Sequence, residues 1–241
     1  MTQGAFIGVY LFGQSKEKLS KLLYLAGTVA FFFVTMYTGS RTAFIMLVAG
    51  LVLYFWLCHP TKMVSNVIIT AAVLYIAYYL AMNVESFYKV LGSRLEGLFA
   101  LFSGEGEVDN SANVRNIFIE NGKRWFSEEP FLGYGINNYK VLNRGATGRF
   151  TYAHNTFVEL AVDLGVVGLF WYYAAYAYLG KRFFAVIKKN KLNIYLFAAF
   201  LASFISQYGS VSYYGFYQNF LLMLCFYAVS RGNKEGTDVL K

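Results

Sequence analysis

Of the two histidines in this 241-residue chain, His154 stands where an imidazole could do chemistry. It closes the polar stretch Thr151-Tyr152-Ala153 and is followed by Asn155-Thr156-Phe157, the opening of a long apolar run. An imidazole there can titrate near neutral pH and still face water at a membrane boundary. Arg41 holds a similar position upstream, in Gly39-Ser40-Arg41-Thr42, which joins two apolar runs with no room for a loop. An arginine can grip phosphate through a bidentate fork while staying charged, and a neutral imidazole can take a proton. Both at the edge of hydrocarbon, the two mark a site. Glu159 and Asp163, four residues apart, share one face of the helix that follows His154. Acids in an apolar helix must face a cavity or a partner, so they either orient Arg41 or His154 or serve the helix start, where acids suit the macrodipole.

The elements that carry these residues belong to a membrane. The chain is 57% hydrophobic and only 14% charged, where soluble domains carry about 25%. Apolar stretches near 20–38, 42–58, 63–82, 157–179, 192–209 and 211–229 are long enough, or nearly so, to cross a bilayer, which takes roughly 17–25 residues. The expected fold is therefore an all-α polytopic bundle of about six transmembrane helices with one large extracytoplasmic loop. Cys58 and Cys225 both fall in apolar runs and indicate neither a disulfide nor a metal site. The net charge of +8 does not point to nucleic acid, because the basic residues cluster just outside the spans.

Lys16, Lys18, Lys21, Lys62, Lys181, Arg182, Lys188, Lys189, Lys191, Arg231 and Lys234 all fall on one side of a six-span chain, which the positive-inside rule makes the cytoplasm. Arg41, in a short outer turn, breaks that rule and needs another reason. The chain divides into an N-terminal segment 1–19, read as the tail of a missing earlier span, then three spans over 20–82. An extracytoplasmic loop over 83–156, three further spans over 157–230 and a cytoplasmic tail at 231–241 complete it. Within the loop, 114–126 reads as an amphipathic helix with Ser111 or Asn113 as its N-cap. Pro130 ends that helix, Gly133-Tyr134-Gly135 with Asn137-Asn138 makes a tight turn, and 144–151 reads as a mobile flap.

The ordered set of motifs resembles the O-antigen ligase and O-antigen polymerase superfamily, in its C-terminal portion. It runs from Ser40-Arg41-Thr42-Ala43 through Asn113-Val114-Arg115 to Glu129-Pro130-Phe131-Leu132-Gly133-Tyr134-Gly135-Ile136-Asn137-Asn138-Tyr139. It ends with Ala153-His154-Asn155-Thr156-Phe157-Val158-Glu159-Leu160 and Asp163-Leu164-Gly165-Val166-Val167-Gly168-Leu169. The resemblance implies a metal-independent inverting glycosyltransferase of the bacterial inner membrane that needs no cofactor. Its donor would be an undecaprenyl-diphosphate-linked glycan and its acceptor a hydroxyl of a glycan or lipid, alongside other polysaccharide-assembly proteins. It further implies that Arg41 and Arg115 hold the diphosphate and that His154 acts on the acceptor hydroxyl, with Asn155 and Glu159 in support.

Arg94 and Arg124 compete for the second diphosphate-binding role, and Arg41 could instead anchor to headgroups. The preferred reading is a repeat-unit polymerase in surface-polysaccharide assembly. The alternatives are a ligase to a lipid or protein acceptor, a transporter or flippase component, a membrane scaffold, and an inactive fragment. Discontinuous spans would favour transport, and none is evident in the sequence.

Overall fold

The computed structural model describes residues 2–38, 40–85, 88, 92 and 110–237. Every regular element among them is a helix. The chain splits into two compact units, Met1–Val108 and Asp109–Lys241.

The first unit contains α1 (Thr2–Gln14), α2 (Lys18–Tyr37), α3 (Arg41–Cys58) and α4 (Met63–Asn83). The short apolar stretch at the N-terminus is α1, packed along α2. A Cβ on Gly4 would lie 3.0 Å from the Phe31 ring, and one on Gly8 would collide with the Thr28 hydroxyl. Small residues four apart let the two backbones approach. The junction before α3 is as tight as the sequence demanded. Ser40 is extended (φ −77°, ψ 107°), and its hydroxyl accepts the Ala43 N–H at 3.3 Å as an N-cap, so Arg41 is the first helical residue.

The second unit contains α5 (Asn110–Glu128), α6 (Tyr139–Thr147), α7 (Thr156–Val186), α8 (Lys191–Ser206) and α9 (Phe216–Thr237). Of the described helices, α2 and α7 are long and apolar enough to cross a membrane, and Thr42–Cys58, Val64–Leu80 and Lys191–Ser206 form shorter apolar helices. Several expectations are corrected. Helix α5 already includes Asn110, so Ser111 and Asn113 lie inside its first turn and are not N-caps. The expected flap is largely ordered: 144–147 is the last turn of α6, and Gly148 (φ 72°) caps it by donating its N–H to the Arg144 carbonyl. Buried Asn143 then ties down the carbonyls of Arg149 and Thr151. Helix α7 runs on to Val186, so Lys181 and Arg182 are helical, and α9 begins at Phe216, after a turn in which Gly215 N–H bonds the Ser212 carbonyl.

The largest departure is a break in α7. Gly165 has φ 61° and ψ −163°, which ends one helical piece and starts another. In an unbroken helix the N–H groups of Val166 and Val167 would bond the carbonyls of Val162 and Asp163. Here the strap at 130–135 slips between them. Tyr134 and Gly135 donate to the Val162 and Asp163 carbonyls at 2.9 and 2.8 Å, and Val166 and Val167 donate to the Pro130 and Phe131 carbonyls at 2.8 and 3.3 Å. All four groups freed by the break are therefore satisfied. A Cβ on Gly133 would strike the Val162 carbonyl and one on Gly165 the Phe131 carbonyl, so the strap fits only against glycine.

Candidate active site

The first piece of α7 is positioned from its N-terminus. Asn155 is extended (φ −153°), and its side chain accepts the Val158 N–H at 3.2 Å, so Asn155 is the helix cap and His154 is not. His154 sits one residue earlier in the left-handed region, at φ 55°. That conformation is uncommon for a residue with a Cβ, though histidine visits it more readily than most. Buried Glu159 fixes the bend: its Oε2 accepts the N–H of Ala153 at 2.7 Å, and its Oε1 accepts the Tyr214 hydroxyl at 3.3 Å. Thr156 bonds the Ser210 carbonyl and the Ser212 N–H through its hydroxyl, while its own N–H bonds the Gln207 carbonyl, clamping the α8–α9 turn onto the head of α7.

Helix α5 forms the second wall. Its apolar face packs Phe118 and Trp125 with Tyr139, Ala153 and Val162, and Tyr139 donates its hydroxyl to the Phe118 carbonyl at 2.7 Å. A Cβ on Gly122 would collide with Val158, so glycine is what lets α5 press against α7. The His154 ring is half-buried between aromatic rings. Tyr152 is 4.2 Å away, centroid to centroid, and Phe118 lies parallel at 6.4 Å. Among the described residues, neither ring nitrogen of His154 has a hydrogen-bond partner and no carboxylate pairs with Arg115. Burial, and then the Arg115 charge, push the His154 pKa below its ordinary value. Both effects favour the neutral imidazole, the form a general base needs.

Arg115 and Phe118 are three apart on α5 and hence neighbours on its surface. Arg124 is nine residues beyond Arg115, about half a turn round the helix at 3.6 residues per turn. It lies over the Trp125 ring and reaches the exposed Glu128 carboxylate at 3.8 Å. Of these two arginines it is Arg115 whose charge reaches His154. Arg94 lies outside the described residues, and so does the side chain of Arg41, which heads α3 in the first unit.

Asp163 is also fully buried and locks the turn that leads into α6. It accepts the N–H groups of Asn137 at 2.6 Å and Tyr139 at 2.8 Å, and the Tyr213 hydroxyl at 2.5 Å. Asn137 is left-handed there (φ 66°). Both acids thus face polar partners, as acids in an apolar helix must, and both hold backbone. Three residues of this assembly went unrecognised in the sequence. Tyr213 and Tyr214 reach the acids from the α8–α9 turn, and Lys140 lies 5.2 Å from the Tyr214 ring with its charge reaching both carboxylates. Their only signal was a pair of aromatics beside Gly215 in an apolar setting, where packing is the ordinary explanation.

The site therefore offers an imidazole with a lowered pKa, within electrostatic reach of the Arg115 charge, at the head of an apolar helix. No curated protein matches the chain. A family model described as O-antigen ligase matches residues 26–173, more than half of the chain, and covers the Arg41 junction, the strap, His154 and the break in α7. The chain belongs to the O-antigen ligase family, membrane proteins of the ligase and polymerase type.

Proposed function

We propose that this protein transfers a glycan from a polyprenyl-diphosphate donor to an acceptor hydroxyl during surface-polysaccharide assembly, as a repeat-unit polymerase. The observation that carries the reading is the half-buried His154 imidazole, packed against the Tyr152 and Phe118 rings and lowered in pKa by burial and by the Arg115 charge. His154 takes the acceptor proton while the hydroxyl oxygen bonds the anomeric carbon. The bond from that carbon to the diphosphate oxygen breaks on the opposite face, so the configuration inverts. The departing diphosphate keeps the electron pair, and Arg115 stabilises its charge through bidentate hydrogen bonds. The family resemblance implies a diphosphate-binding role for Arg41 as well. In this reading the arginine guanidinium groups supply the positive charge that a metal ion would otherwise bring, so the mechanism is metal-independent. Asn155 and Glu159 position His154. The basic flanks of the spans put this chemistry on the extracytoplasmic face of a multi-pass protein of the bacterial inner membrane.

The test uses the protein in proteoliposomes with a lipid-linked donor, reading both single transfer and product length. His154→Ala should lower turnover by about 10²–10⁴-fold. Arg115→Lys and Arg41→Lys should each lose about 10- to 100-fold, since an ammonium cannot replace the planar fork. Ladders of increasing length mark a polymerase, and a single addition to a lipid or protein acceptor marks a ligase. Wild-type activity in His154→Ala, or in both lysine variants, overturns the reading.

A further inference from the structure

We propose that the strap at 130–136 is a membrane-inserted element whose Phe131 and Leu132 side chains lie among lipid acyl chains at the outer interface. The four backbone hydrogen bonds that fill the break in α7 fix the strap at the level of residues 162–167. That level can be located against the bilayer. Helix α7, its two pieces taken together, has 31 residues, more than the roughly 17–25 that a bilayer crossing takes. Its two acids are both in the first piece, and from Leu164 to Gly180 it carries no charge before Lys181 and Arg182. The charge-free part is the portion suited to hydrocarbon, so the break and the strap come at its upper edge.

The strap's side chains continue the surface that this part of α7 turns outward. Phe131 and Leu132 are 73% and 72% exposed. Val166 and Val167, bonded to the strap, are exposed too, as are Phe170 and Trp171 one turn deeper on the same stripe. A lipid-facing helix surface of this kind has one natural occupant, and the strap residues lie on top of it without a polar interruption. Non-helical backbone is excluded from such a depth unless its polar groups are satisfied by protein. The broken helix meets that condition for the Pro130 and Phe131 carbonyls and for the Tyr134 and Gly135 N–H groups. The Leu132 and Gly133 backbone groups, without a partner among the described residues, sit at the hydrated headgroup level, so that only the Phe131 and Leu132 side chains reach the acyl chains. The strap is also the chain segment joining α5 to α6. Seated in lipid, it anchors the C-terminal end of α5 at the interface. The lipid contact itself stands whether or not the site transfers a glycan.

The experiment uses the full chain in nanodiscs, with Cys58 and Cys225 replaced by serine and a nitroxide label introduced at Leu132→Cys. References are Phe170→Cys on the deeper stripe and Gly145→Cys on α6, where open space surrounds the Cβ position. All three positions are outward-facing, so the labels leave the packing intact. Collision with oxygen, which concentrates in lipid, should exceed collision with a water-soluble nickel chelate at Leu132, as at Phe170, and the order should reverse at Gly145. Doxyl groups placed high on the lipid acyl chains should broaden the Leu132 label. Two results overturn the proposal: a Leu132 label that meets the nickel chelate as readily as Gly145 does, or one shielded from both reagents, which would mean that protein covers the strap.

Discussion

Replacing Glu159 by alanine should remove most of the turnover at this site, whereas glutamine should be tolerated. Glu159 accepts the Ala153 N–H at 2.7 Å, and Ala153 is the residue before His154. With His154 at φ 55°, the backbone holds a conformation that costs a residue with a Cβ about 1–2 kcal/mol. It persists because the bond to Glu159 leaves the chain no cheaper arrangement. Alanine at 159 would strand the Ala153 N–H in a fully buried position, a penalty of about 1–3 kcal/mol. Turning His154 out of the left-handed region recovers part of it and moves the imidazole. A free-energy change of that size reduces the productive conformer by about 5- to 150-fold. Glutamine keeps a carbonyl oxygen for Ala153, and its amide can donate to the Tyr214 oxygen. The assay is steady-state kinetics in proteoliposomes: in Glu159→Ala kcat should fall within that range at nearly constant KM. In Glu159→Gln both constants and the acid limb of the pH profile should stay near wild type. Near-wild-type kcat in Glu159→Ala would refute the positioning argument. Equal damage in both variants would refute it differently, by showing that the charge itself is used.

Three further outcomes follow from the same geometry. Asp163→Ala removes the acceptor of two backbone N–H groups and the Tyr213 hydroxyl; at about 1–3 kcal/mol for each stranded donor, it should lower thermal stability in detergent more than Tyr213→Phe does. Gly165→Ala places a Cβ against the Phe131 carbonyl at φ 61° and should abolish accumulation of folded protein, whereas Gly148→Ala, with open space at φ 72°, should cost only about 1–2 kcal/mol. The folded pKa of His154 lies below its ordinary value, so the group adds stability above the unfolded pKa of about 6.5 that is lost as pH falls through the folded value. Histidine NMR, with His59→Gln to assign the signal, should place the titration below 6.5 and show it moving up toward that value in Arg115→Gln.

Much of the fold was legible because hydrophobic runs report helices directly. The six apolar runs all contain helices, and the Arg41 junction was correctly read as too tight for a loop. Boundaries were less legible where the apolar signal outlasts or undershoots the hydrogen bonding. Tyr213 and Tyr214 extend the last apolar run backwards although they sit in a turn, and Lys181 and Arg182 end the apolar run of α7 although its helix goes on. The expected flap was misread because its anchor, Asn143, lies just outside it and is polar; only the fold shows that residue buried with its amide spent on Arg149 and Thr151 carbonyls. In the site, the residue types of His154, Asn155 and Glu159 announced themselves by being polar at an apolar boundary. The pairing of Asp163 with Asn137 and Tyr139 spans more than twenty residues, and no local pattern records which backbone groups a buried acid will meet.

A broken helix bearing two acids is also what an ion or substrate pathway through a membrane uses, and the accounting of backbone groups bears on that alternative. In discontinuous transporter helices, the freed carbonyls and N–H groups at the break are the ligands of the transported species. In α7 the carbonyls of Val162 and Asp163 and the N–H groups of Val166 and Val167 are all taken by the strap. The acids are committed as well, Asp163 to three donors and Glu159 to two. A cation binding there would have to displace backbone bonds that hold α6 and the His154 bend in place. Among the described residues, the His154 imidazole and the Arg115 guanidinium carry no hydrogen bond or ion pair of that kind, and the Arg115 charge reaches the imidazole. A base within reach of a guanidinium charge suits the proposed attack by a hydroxyl on a diphosphate-activated carbon better than it suits the binding of a cation.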